Sequence, residues 1–156
     1  PEQISLLFAW FGGLALAGNL VLNRTVDRIG AAPAVTLTLG MMALSLLIWP
    51  LATSLIGLAL VLLPWALSGF ATNSGQQARL GGLSPRLAPA LMALNTSAIY
   101  LGHALGASGG GWVLTNHGYS QLHWLGLAWM LIAWALSAWA QRAQRRSDEA
   151  HFRGLA

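Results

Sequence analysis

Long apolar stretches separated by short polar segments make up most of this 156-residue chain. Each stretch is about as long as the roughly 20 helical residues that cross a bilayer. No Lys, Arg, Asp or Glu occurs between Arg28 and Arg79 or between Arg86 and Arg142, so each gap has room for two spans. The pattern predicts a transmembrane bundle over residues 1–141, followed by a polar tail at 142–156 that is expected to fray. The predicted spans are residues 4–22, 33–51, 55–74, 89–112 and 122–140.

Composition supports the same class. Hydrophobic residues make up 56% of the chain and charged residues 8%, against about 25% charged in an ordinary soluble domain. We therefore expect an all-α membrane protein with five transmembrane helices. The absence of cysteine excludes disulfides and thiolate metal sites.

Several other functions are not expected from the sequence. The net charge of +4 comes from arginines beside apolar stretches and not from a lysine-rich surface, so we expect no nucleic-acid partner. The chain has no GxxxxGK[ST] phosphate loop, no HExxH motif and no close pair of carboxylates. We expect no cofactor, no metal site and no enzyme activity.

The arginines predict the orientation of the bundle. All eight lie within residues 24–28, 79–86 and 142–153, and five spans place these segments on one side of the membrane. By the positive-inside rule that side, with the C-terminus, is cytoplasmic, whereas the turns at 52–54 and 115–121 lie outside. An outside start, an odd number of spans and Pro1 as first residue predict a piece of a longer protein.

One charged segment resembles a known motif. Arg24, Asp27, Arg28 and Gly30 follow the glycine-containing helix end at Gly18, and this order resembles the cytoplasmic loop signature of the major facilitator superfamily. The match is partial, since Asn23 stands where a glycine is usual and Ala31 and Ala32 stand where basic residues often follow. We interpret the segment as a charged hinge between the first two spans.

The resemblance extends to the whole chain and implies a placement. The five spans are similar to the last five of the twelve helices, that is, to most of the six-helix C-terminal half-bundle. Asn95, the following Tyr-Leu-Gly-His-Ala-Leu-Gly and the glycines at 109–111 resemble the eleventh helix of the drug and sugar efflux branch, which includes arabinose efflux permeases.

The resemblance also implies a function and partners. It implies a bacterial inner-membrane antiporter that expels a small molecule such as a drug or sugar by alternating access, coupled to protons. The implied partners are the lipid bilayer, the missing N-terminal half, the substrate and protons. The rival interpretation is a membrane scaffold or channel subunit that has no transport cycle.

Polar residues inside the spans are the candidates for a cavity site. The resemblance implies that the first, second, fourth and fifth helices of a half face the cavity. Spans one, three and four, which correspond to the second, fourth and fifth of these helices, carry the polar residues. Asn95 and Asn19 either hydrogen-bond the substrate or join neighbouring helices. Substrate contact is favoured for Asn95, and helix packing is favoured for Asn19. His103 is either a proton-coupling group or a neutral imidazole bonded to a neighbouring helix, whereas His117 and His123 are placed near the outer surface without a function. The candidate cavity residues are Asn19, Ser68, Thr72, Asn95 and His103.

Two further groups have predicted roles. The gating motif consists of Gly18, Arg24, Asp27, Arg28 and Gly30. Its charged residues either gate the transport cycle by a salt bridge made in one state or merely form a solvated turn. Glycines at spacing four on one helical face predict close helix packing. These packing glycines are Gly102, Gly106 and Gly110.

Overall fold

The computed structural model describes residues 2–153, and within that range it consists of helices and short connections. Five long α-helices and no strand are present in this part of the chain, which confirms the predicted all-α class. The long helices are α1 (Glu2–Ile29), α2 (Ala31–Leu47), α3 (Leu55–Leu83), α4 (Ala88–His117) and α5 (Leu122–Arg153). Short 3-10 turns lie at Trp49–Leu51, Pro85–Leu87 and Tyr119–Gln121.

The charged segment after the first span is helical, which corrects the predicted hinge. No glycine or proline lies between Asn19 and Ile29, so nothing interrupts the backbone there. The chain turns only at Gly30, whose φ of 86° and ψ of 146° suit glycine almost alone. The connection between α1 and α2 is therefore a single residue.

The C-terminal tail is also more ordered than expected. Residues 142–153 continue α5 as a helix, and residues 154–156 lie outside the described range. Alanine, glutamine and arginine, which are good helix formers, dominate residues 140–146, where no glycine or proline occurs. The prediction of a frayed tail was wrong for the described part.

Helix ends and predicted span ends differ elsewhere for similar reasons. The helix α3 runs past Ser74 to Leu83, and α4 continues to His117. By contrast α2 ends at Leu47, because Pro50 lacks the N–H that a continued helix requires and a 3-10 turn begins at Trp49. The helices thus extend beyond the apolar segments except at this turn.

The bundle is built around α2 and α3. Ser45 on α2 is fully buried, and its Oγ accepts a hydrogen bond from the Trp65 backbone N–H at 2.9 Å. Trp65 follows Pro64 inside α3, where a proline disturbs the regular hydrogen bonding of a helix. A side chain of α2 therefore satisfies backbone next to the proline and joins the two helices.

Polar contacts also fix α5 against its neighbours. Gln141 Nε2 donates to the Ala32 carbonyl oxygen at 2.9 Å and to Thr36 Oγ1, at the start of α2. Arg79 Nη1 donates to Ser137 Oγ at 3.2 Å. These contacts bring the ends of α3 and α5 and the start of α2, just beyond Gly30, to one end of the bundle. The three arginine segments thus share an end, while its cytoplasmic location stays a prediction.

Three helical segments of the described chain are long and apolar enough to cross a membrane: Glu2–Ile29, Leu55–Leu83 and Tyr119–Ser147. The helix α2 is apolar but has 17 residues. The helix α4 has 30 residues but does not reach the same apolarity, in keeping with its polar and glycine content. The spans proposed for α2 and α4 stay predictions.

Large apolar side chains are exposed along much of α1 and α4. On α4 only Val113 is buried among the residues described. Such a continuous apolar surface belongs against lipid or another protein segment. The exposed residues include Ile4, Leu6, Phe8, Trp10, Leu16, Leu94, Leu101, Leu105 and Trp112.

Candidate functional site

A groove between α3 and α4 collects most of the predicted cavity residues. Its volume is about 570 Å³, and we call it the central groove. The two helices supply nearly all of its polar groups, whereas α1, α2 and α5 contribute apolar side chains. The lining residues from α3 and α4 are Trp65, Gly69, Phe70, Thr72, Asn73, Gln76, Asn95, Ile99 and His103; Phe11, Leu39, Met42 and Met130 complete it.

Thr72, Asn95 and His103, three of the candidate cavity residues, line this groove together. Asn95 has no hydrogen-bond partner among residues 2–153, so its amide is free to bind a ligand. The His103 ring lies edge-on to Tyr100 with centroids 6.3 Å apart, and it makes no hydrogen bond to another helix within the described residues. Thr72 donates to the Ser68 carbonyl oxygen at 2.7 Å, which leaves its methyl group and oxygen lone pairs at the groove.

Asn19 and Ser68 do not line the central groove. Ser74 Oγ donates to Asn19 Oδ1 at 2.7 Å, so Asn19 connects α1 and α3. Ser68 is fully buried, and its Oγ donates to the Pro64 carbonyl oxygen at 2.6 Å. The polar stripe at spacing four therefore divides, with Ser68 inside the bundle and Thr72 at the groove.

A second groove continues from the central one toward the arginine end. It has a volume of about 460 Å³ and shares Leu39, Thr72 and Gln76 with the central groove. Arg79 is the charged residue among its described lining, and no acidic partner of Arg79 lies in the described part of the chain. The two grooves thus adjoin at Thr72 and Gln76, with Asn95 and His103 in one and Arg79 in the other.

The predicted gating motif lies on an exposed helix end. Arg24, Asp27 and Arg28 are exposed, and no ion pair joins them to one another or to other described residues. Gly18, assigned to the same motif, lies elsewhere. A Cβ built at Gly18 would be 1.9 Å from the Leu67 carbonyl oxygen, so this glycine permits the close approach of α1 and α3.

The glycines of α4 have few partners in the described chain. A Cβ built at Gly102 or Gly106 would meet no described atom within 4 Å, and one at Gly110 would lie 3.6 Å from Leu122 Cδ1. Gly110 therefore lies beside a side chain of α5, and its packing role stays a prediction. For Gly102 and Gly106 it stays a prediction that requires a partner beyond residues 2–153.

His123 is a buried side chain near the start of α5, and its predicted location near the outer surface stays a prediction. It is 9% exposed, and neither ring nitrogen has a hydrogen-bond partner in the described structure. Its ring lies 4.8 Å from that of Trp124, between centroids, and it borders a separate groove with Trp49, Trp65 and Trp129. This burial was not predictable from the local sequence, because residues of α2, α3 and α4 border the same groove.

The central groove offers hydrogen bonds without a carboxylate. Its amides and hydroxyl both donate and accept, and its aromatic rings suit a partly apolar molecule. Such a mixture of apolar walls and a few convergent polar groups is typical of small-molecule sites. Together with helices of membrane-spanning length, the groove defines a helical membrane protein with a partly polar groove in its bundle.

Comparison with known proteins gives the family. The Major Facilitator Superfamily model matches residues 1–153, and the chain therefore belongs to this superfamily of transporters. This confirms the predicted superfamily and the prediction that the protein is not an enzyme. The chain is also similar to the uncharacterized MFS-type transporter YbcL of Bacillus subtilis, at 26% identity over 117 residues, which cover 74% of this chain. That alignment spans 30% of the length of YbcL. No solved structure matches significantly.

Proposed function

We propose that this chain is the C-terminal part of a secondary transporter and that its central groove contributes half of a small-molecule site. The observation that carries the proposal is the convergence of Thr72, Asn95 and His103 from two helices on one groove. In transporters of this kind the site lies between two repeats near the middle of the membrane. A missing N-terminal half would then supply the opposite wall.

The exposed surfaces of α1 and α4 support the proposal that a missing N-terminal half packs against this chain. The helices α1 and α4 both line the central groove, and both expose large apolar side chains that the described chain leaves uncovered. Gly102 and Gly106 lie on α4 with open space beside them, as a close-packed partner helix requires. A rocking motion of the two halves would alternately open the groove to either side.

Efflux by proton antiport is the finer part of the proposal. Its support is the resemblance of α4 to the eleventh helix of the efflux branch and the position of His103 in the groove. Since the described groove has no carboxylate, His103 is its candidate proton carrier. The arginine end of the bundle faces the cytoplasm in this arrangement.

Replacement of Asn95 by leucine tests the substrate site. We expect Asn95→Leu to raise the KM for the transported molecule about two- to tenfold, because one hydrogen bond contributes about 0.5–1.5 kcal/mol. The measurement is substrate uptake into everted vesicles that contain the full-length gene product, after a screen of drugs and sugars. Asn116→Ala is the control, since Asn116 is an exposed amide outside the described grooves. An unchanged KM in Asn95→Leu would contradict the assignment of the groove.

Replacement of His103 tests proton coupling separately. We expect the transport rate of the unmodified protein to change at least about threefold between pH 6 and pH 8, because His103 would exchange a proton during the cycle. In His103→Gln, which keeps a polar side chain, that dependence should disappear. His117→Gln is the matched control, because His117 lies against Trp112 outside the central groove. The same pH profile in His103→Gln and in the unmodified protein would exclude His103 as the proton carrier.

A further inference from the structure

The outer face of α2 and α5 carries a groove that the transport site does not use. This lateral groove has a volume of about 630 Å³ and lies between the two helices on the surface of the bundle. Apolar residues form most of its length, while Gln141 and Arg145 close one end. Its lining consists of Pro33, Thr36, Leu37, Gly40, Met41, Leu44, Trp134, Gln141 and Arg145.

The length of the lateral groove matches one leaflet. From Pro33 to Leu44 the helix α2 rises by about 17 Å, and one leaflet contributes about half of the roughly 30 Å hydrocarbon core. Gly40 has no described atom within 4 Å of the position of a Cβ, so the middle of the groove is open. An acyl chain fits along such an apolar channel.

The closed end of the lateral groove is built for an anion. Gln141 is held by its hydrogen bonds to the Ala32 carbonyl oxygen and Thr36 Oγ1, which fix α5 against the start of α2. Arg145, one turn further on, is exposed and lines the groove. Among the described side chains Arg145 has no acidic partner, although Glu149 follows it by one helical turn. Its charge is therefore available to a headgroup.

The charge around the lateral groove also favours a negatively charged headgroup. Arg142 and Arg146 flank Arg145 on the exposed end of α5, and Arg24 and Arg28 lie at the end of α1 that leads into α2. Basic side chains beside a membrane span attract anionic lipid headgroups, by about 1 kcal/mol for each residue near the surface. The lateral groove thus combines positive charge at one end with an apolar channel about as long as one leaflet.

We propose that the lateral groove binds one anionic phospholipid, with its phosphate at Arg145 and an acyl chain along α2 between Leu37 and Leu44. The site is separate from the central groove, because the two share no lining residue. A bound lipid would fill the gap between α2 and α5. It would hold α5 in place at the end where Gln141 joins the helices.

The test measures lipid retention by native mass spectrometry of the full-length gene product that contains these residues. With equal amounts of phosphatidylglycerol and phosphatidylcholine added, we expect preferential retention of one phosphatidylglycerol. Arg145→Gln should weaken that retention about fivefold, and Arg145→Lys should largely preserve it. Arg86→Gln is the matched control, since Arg86 is an exposed arginine in the Pro85–Leu87 turn and does not line the groove.

Two further measurements identify the occupant. Gly40→Leu, which fills the channel without changing charge, should also weaken retention, and soluble glycerol phosphate should not compete. Equal retention of the two lipids, an equal loss in Arg86→Gln, or displacement by glycerol phosphate would overturn the proposal. Because Arg145 is exposed, Arg145→Gln should fold normally, and a melting curve in lipid-free detergent checks this. Transport is not part of the readout, so failure here is distinguishable from failure of the proposed function.

Discussion

Gly18→Ala is expected to destabilise the bundle strongly. The added Cβ would lie 1.9 Å from the Leu67 carbonyl oxygen and 2.6 Å from the Leu67 carbonyl carbon, so the backbones of α1 and α3 would have to separate. Overpacking costs about 1–3 kcal/mol when flexible side chains can adjust, and a rigid backbone leaves less room for adjustment. Separation would also stretch the hydrogen bond between Ser74 and Asn19, a kind of contact worth about 0.6 kcal/mol within membranes.

We expect a loss of about 3 kcal/mol and a fall in melting temperature of about 6–12 °C. The measurement is thermal stability of the purified full-length gene product by size-exclusion chromatography after heating. Gly13→Ala is the control, because it makes the same change inside α1 at a position where no described atom lies within 4 Å. Equal melting temperatures for the two variants would show that α1 and α3 do not pack as described.

Asp27→Asn is expected to impair transport while the protein still inserts. Asp27 is exposed and has no ion-pair partner among residues 2–153, which leaves it free to bridge to a segment outside this chain in one state of the cycle. A charge-assisted hydrogen bond contributes about 1.5–3 kcal/mol. Its loss from one state would shift the equilibrium between states about 10- to 150-fold.

The measurement for Asp27 compares transport rate with the amount of protein in the membrane. Glu149→Gln neutralises another exposed acid on α5 at the same end of the bundle, and it should leave the transport rate unchanged. A transport rate in Asp27→Asn equal to that of the unmodified protein would favour the simpler interpretation, in which the charged segment only fixes topology. Reduced insertion of Asp27→Asn would likewise favour that interpretation.

Part of the candidate site was predictable because polar residues are rare in apolar helices. Asn95 and His103 stand out in a segment without charge, on the helix that also carries Gly102 and Gly106. Thr72 continues a stripe at spacing four. Desolvation of a polar group costs free energy unless it has a partner, and for this reason such residues by themselves indicate either a cavity or a helix contact.

The spacing of small and polar residues did not predict which of them line a cavity and which contact a neighbouring helix. Ser68 and Thr72 are one turn apart, yet Ser68 is fully buried while Thr72 reaches the groove. Gly18 and Gly102 carry the same small-residue signal, but only Gly18 touches a neighbouring backbone in the described chain. In each pair the difference comes from the position of the next helix, which the local sequence does not specify.

By itself, the sequence determined the all-α membrane class, the number of helices, the resemblance to the major facilitator superfamily and the concentration of arginine in three segments. These follow from the lengths of the apolar stretches, the positions of the charges and short motifs, which are properties of each segment alone. The tertiary structure decided which polar residues share the central groove, that His123 is buried and that Arg145 closes a groove beside α2. Those features depend on contacts between residues far apart in the chain, and such contacts exist only once the helices pack.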